Sequence, residues 1–221
     1  MGSGTAQQKI YQSSYDPKRF ACCRKVGRKM NLRREYIREL LTESAIDPRI
    51  MAMIDRVENE GLIITLTPGA VAGSVEIENA AGKFLGAVDY EAPDPTDGFC
   101  YGAKKVSNSE ALEGLGPLLY DIAIEQSGGL MADRVSVSGE AEAVWDKYMG
   151  SRADVQVIQL DITDEFEEPK LTPNEPTDDC SQVPAHDKLK DKWHTSPLSK
   201  KYMKKNGTPV MDELRKRGLI A

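Results

Sequence analysis

The chain is short of aromatic residues, which fill 6% of its 221 positions, and it holds only two histidines and four cysteines. None of these has the short paired spacing that a zinc site needs: Cys22 and Cys23 are adjacent, while Cys100 and Cys180 stand alone. The expectation is no metal, and thiols that stay reduced. His186 and His194 fall in a polar, proline-containing stretch and read as solvated side chains. No apolar run approaches the roughly 20 residues that cross a bilayer. The first residues, MGSGTAQQKIYQ, contain no apolar segment of a secretory signal. Gly2 opens a myristoylation pattern, but Ala6 stands where Ser or Thr is required. The expectation is a cytoplasmic protein with no membrane partner.

What is present is 40% hydrophobic residues in a chain long enough to bury a real core, and a charge that is unevenly spread. Residues 1–38 carry ten Lys/Arg against two Asp/Glu, or +8, and residues 188–221 carry ten against three, or +7. The stretch between them carries −21, so the net −6 describes neither part. Basic ends of this kind touch nucleic acid or the protein's own acidic face.

Hydrophobic spacing divides the chain further. Residues 1–19 form a polar arm, with a short strand over 19–26 and helical spacing at Tyr36, Ile37, Leu40 and Leu41. Asp47 and Pro48 make an N-cap and first turn, and Met51, Ile54 and Val57 make one helix face that Gly61 ends. Strands are expected at 62–67, 71–78, 83–90 and 99–106, with Ala81 and Gly82 as a hairpin turn. A helix begins near Leu118 and stops at Gly128 and Gly129. It is followed by a strand at 130–134, a helix at 140–149 and a strand at 155–162. Residues 163–197 are rich in Pro and Asp and read as a linker. The segment 198–221 reads as a basic helical tail whose apolar positions are Val210, Met211 and Leu214. The fold class is α/β, with a mixed, mostly antiparallel central sheet, flanking helices and a C-terminal extension.

The chemically informative stretch is CYGAKKVSNSEALEGLGPLLYDIAIEQ, a strand running through Gly114, Leu115 and Gly116 into a helix. The first turn of a helix offers unpaired N–H groups and the positive end of a dipole, which suits a diphosphate. Taken alone, Gly-x-Gly-Pro before a helix is ordinary turn chemistry.

Residues 20–162 resemble the GNAT superfamily of acyl-CoA-dependent N-acetyltransferases. In that family a strand precedes a Q/R-x-x-G-x-G/A turn, and a later helix carries an N-x-x-A-x-x-L-Y pattern; here Ser138, Ala141, Val144 and Trp145 have that spacing. The wording GLGPLLYDIA, DRVSVS and VW is similar to GNAT-like proteins of tailed bacteriophages. The resemblance implies acetyl-CoA and an amine acceptor as ligands. Its diphosphate would rest on Gly114, Leu115 and Gly116, and its thioester against the backbone at Val106 and Asn108. Candidate bases are Glu110 and Asp133, each of which also has a structural reading, as a helix-approach carboxylate and as a pair for Arg134. Candidate acids are Tyr120 and Tyr148, because Trp145 stands at the family's tyrosine position and an indole cannot donate a proton to a thiolate. Tyr120, Tyr148 and Trp145 also read as packing residues. Ala111 replaces the motif's Gln/Arg, Pro117 supplies no amide, and Glu110 and Glu113 add negative charge that Lys104 or Lys105 would have to offset. Two further readings stay open: a non-catalytic phage interaction or virion-associated protein, and a nucleic-acid-modifying enzyme that uses the basic ends as arms.

Overall fold

The structure, a computed structural model, describes residues 46–112, 114–134, 136–160, 180 and 195–220. The expected N-terminal arm, strand 19–26, helix at 36–41, Cys22, Cys23, Glu113, His186, Trp193, His194 and most of the linker lie outside the described residues.

Asp47 and Pro48 begin helix α1 (Pro48–Glu60) as their chemistry directs. The Arg49 amide donates to Asp47 Oδ1 at 2.8 Å, and Gly61 closes the helix in the left-handed region at φ 62°. Ile50, Ile54 and Val57 are its buried face, each contributing about 1.5–3 kcal/mol over an exposed position. Three antiparallel strands follow, β1 (Ile63–Thr67), β2 (Ala72–Glu78) and β3 (Phe84–Glu91). Val75 and Ile77 point inward and are fully buried, as the alternation predicts. Asn79 shapes the β2–β3 turn by accepting from the amides of Ala81 and Lys83.

The expected strand over 99–106 is displaced. Residues Cys100–Gly102 form a 3-10 turn, and β4 runs Lys104–Ala111. Cys100 and Tyr101 have φ of 49° and 53°, which breaks any strand before Ala103. Helix α2 (Gly116–Ser127) then leads to β5, which is only Leu130–Met131 rather than 130–134. Ser138 caps α3 (Gly139–Ser151), and β6 is Val155–Gln159. Strand β7 (Lys200–Lys204) and helix α4 (Pro209–Lys216) complete the described order.

The sheet order is β1-β2-β3-β4-β5-β7-β6, antiparallel throughout except for the parallel pair β4 and β5. Residues 200–204 therefore do not belong to a tail: they lie between β5 and β6, with Tyr202 fully buried. Their basic character hid this. Lys201 and Lys204 are buried because each has a partner, Lys201 on the Tyr101 carbonyl and Lys204 on two carboxylates.

Helix α2 packs against β2, β3, β7, α1 and α4, which is why Leu118 to Glu125 are all buried. Two of those eight residues are acids. Asp121 accepts from Tyr148 Oη at 2.5 Å, Arg152 Nη2 at 2.6 Å and Lys204 Nζ at 2.7 Å. Burial works to raise the Asp154 carboxyl, but hydrogen bonds from Arg152 and Lys204 outweigh it and hold it well below the carboxylate range. Glu125 accepts the Val210 and Met211 amides at 3.0 and 2.8 Å, holding the N-terminus of α4.

The cysteines also depart from the sequence reading. Cys100 and Cys180 are joined in a disulfide, both fully buried, beside a Gly98–Cys180 bridge. They are 80 residues apart, and spacing alone gives no hint of such a pairing.

Candidate functional site

Strands β4 and β5 are bonded only at Lys104 with Leu130 and at Lys105 with Met131. Beyond that point β4 continues to Ala111, held on its other side by β3, while the chain after Met131 leaves the sheet toward Ser138. Two adjoining cavities occupy the gap. The inner one, about 310 Å³, is lined by Val106, Ser107, Asn108, Asp133, Ser136 and Trp145 among others. The outer one, about 230 Å³, is lined by Glu110, Ala111, Gly114, Gly116, Pro117, Glu140 and Val144 among others. Ser109, Tyr120, Ser138 and Ala141 wall both.

The strand edge along this cleft is irregular. Val106 pairs with Tyr90 and Asn108 with Asp89, so Ser107 has no partner of its own on β3. Such a bulge re-aims backbone groups. At the outer end, Gly114 adopts φ 81°, a conformation that favours glycine, and Leu115 is buried at the start of α2 without a side-chain cap. The first-turn amides of α2 thus open near a cavity rather than onto a capping side chain.

Most of the expected site residues converge here. Glu110 lines the outer cavity from β4; it does not cap α2. Asp133 lines the inner cavity, and the buried Arg134 pairs with Asp97 at 3.3 Å. Tyr120 Oη donates to Ser109 Oγ at 3.0 Å where the two cavities meet; burial pushes its phenol up, and Ser109 offsets part of this. Tyr148 is not brought to the cleft. Its hydroxyl is committed to Asp121 and the Pro117 carbonyl, and burial together with the Asp121 charge raises its phenol well above the usual range. Trp145 is a core residue, edge-on to Tyr120 and stacked on Tyr202 at 4.9 Å.

The lysines expected to offset Glu110 are elsewhere: Lys104 donates to the Ala70 carbonyl, and Lys105 pairs with Glu91. Arg56, on α1, reaches the glycine turn. Its Nη1 lies 3.7 Å from where a Gly114 Cβ would stand, while its Nε pairs with Glu60. In sequence Arg56 is one more exposed helix residue with an i,i+4 carboxylate, and no motif singles it out. Ser109 and Ser136 were equally silent.

No protein-family model matches this chain, and neither a curated protein nor a solved structure matches it. Among the described residues there is no group of acids, cysteines or histidines able to hold a metal, and no helix long and apolar enough to cross a membrane.

Proposed function

We propose that the chain is a GNAT-like N-acyltransferase that moves an acetyl group from acetyl-CoA to an amine. The observation carrying this reading is the parting of β4 from β5 beyond Lys105 and Met131. It opens a cleft running from the bulged strand to the glycine turn at the head of α2. The diphosphate rests at Gly114, Leu115 and Gly116, with Arg56 supplying the cation that Ala111 lacks. The hydroxyl-rich lining suits the amides of the thiol arm, and a backbone amide near Ser107 polarises the thioester carbonyl.

The amine attacks that carbonyl and loses a proton to Asp133, with Glu110 as the alternative base. The C–S bond then breaks, and Tyr120 protonates the departing thiolate. We assign the acid to Tyr120 because its hydroxyl stands where the cavities meet, whereas Tyr148 is spent on Asp121. The cytoplasm of a bacterial cell, with a phage as source, is the setting this reading implies.

The test is release of free thiol from acetyl-CoA across a panel of amines. Tyr120→Phe should lower kcat about 10²-fold and leave acetyl-CoA binding intact. No thiol release from wild type with any amine, alongside normal acetyl-CoA binding, would favour the second reading, a non-catalytic phage interaction protein. That reading draws on Trp145, which packs where the family places its acid. A DNA-modifying role has less support. Arg215, Lys216 and Arg217 of the supposed C-terminal arm pair with Asp212, Glu213, Asp55 and Glu58.

A further inference from the structure

We propose that the cavity between the first turn of α1 and helix α3 binds a small monoanion with an apolar body, a short-chain carboxylate. This cavity, about 110 Å³, is distinct from the cleft between β4 and β5. Its apolar walls are Ile50, Met53, Pro117 and Val144, which suit a short hydrocarbon body and offer a guest nothing to hydrogen-bond.

Charge selects the other end of the guest. Asp47, Arg49 and Arg152 line the cavity, and Arg152 joins them to Asp121, Asp154 and Lys204, so three carboxylates meet three cations. That set is balanced, and its members are already hydrogen-bonded to one another. Tyr148 also lines the cavity, but its hydroxyl is committed to Asp121. Lys147, exposed at the rim, lines the same cavity and forms no ion pair among the described residues. An amine would add a second uncompensated cation beside it, and a neutral guest would leave the charge as it is. A carboxylate makes a charge-assisted hydrogen bond with Lys147 at the rim while its hydrocarbon part covers the apolar wall. Pro117 and Val144 also line the outer cavity of the cleft, so an occupant lies against the far side of two residues that shape it.

The test uses the whole chain and n-butyrate as probe, with n-butanol and n-butylamine as its uncharged and cationic counterparts, followed by calorimetry and amide chemical shifts. Butyrate should bind and shift the resonances of Ile50, Met53 and Tyr148, and the other two should not. Lys147 is exposed, so Lys147→Glu should fold normally, which its melting temperature checks; it should weaken butyrate about tenfold or more. Lys147→Arg should restore binding. Butanol binding as tightly as butyrate, unchanged affinity in Lys147→Glu, or no butyrate binding at millimolar concentration would each overturn the proposal. None of these readouts depends on acetyl-CoA.

Discussion

Tyr120 and Tyr148 are equivalent candidates in the sequence, and the fold gives them opposite surroundings. Tyr120 sits on the side of α2 that meets β4, where its hydroxyl donates a hydrogen bond to Ser109. Tyr148 sits on the side of α3 that meets the charged core under Asp121. Helical spacing says which residues share a face, but not what that face will meet, so the sequence alone could not separate them. Glycines carry more legible information. Gly86 on β3 lies so close to β4 that an added Cβ would stand 2.7 Å from the Glu110 carbonyl oxygen and 2.9 Å from the Ala111 Cα. Backbone atoms cannot step aside as a flexible side chain would. Gly86→Ala is therefore expected to destabilise the fold by about 1–3 kcal/mol. Urea denaturation checks this, and a change within 0.5 kcal/mol would mean that the two strands part more easily than their packing implies.

Whole elements were legible where local chemistry marks their ends. Asp47 with Pro48, Ser138 and Gly128 set helix boundaries through caps and left-handed turns that need no tertiary contact. Strands β2 and β3 follow from alternation and an Asn-shaped turn. Strands β5 and β7 escape local sequence rules for a common reason. The length of β5 depends on where its partner strand diverges, and the place of β7 depends on carboxylates brought from α2 and the turn before β6 to neutralise Lys204. Neither is a local property. Helix α4 shows a second buried acid at work. Burial pushes the Glu125 carboxyl up to about 7, the Met211 and Val210 amides offsetting only part of the rise. Its folded value lies above its unfolded 4.5, so its contribution to stability is whole below that pH and is lost as pH rises through about 7. Asp154 works in the opposite sense and matters only in acid, since its depressed value withdraws stability as pH falls below the usual carboxylate range. Between pH 5 and 8 the thermal midpoint should therefore fall, and Glu125→Gln should flatten that slope. An unchanged slope in the variant would assign the pH dependence to another group.

At the scale of the molecule, the segregated charge of the sequence is partly absorbed by the fold. Lys201, Lys204 and Arg217 from its basic C-terminal stretch make contacts inside the domain with carbonyl or carboxylate oxygens. The disulfide between Cys100 and Cys180 sets the turn before β4 against Met131 and Leu160, at the base of the cleft. Alkylation of the denatured, unreduced protein should leave Cys100 and Cys180 unmodified, and peptide mapping should recover them linked. Full labelling of both would mean that the reduced thiols expected from the spacing are the native state. Calorimetry with acetyl-CoA tests most directly whether the gap between β4 and β5 is an acyl-CoA site. Binding should be saturable and weaken at least about tenfold in Gly114→Trp, with the variant's fold confirmed by circular dichroism. An absence of heat at millimolar acetyl-CoA, or equal binding by wild type and variant, would contradict it.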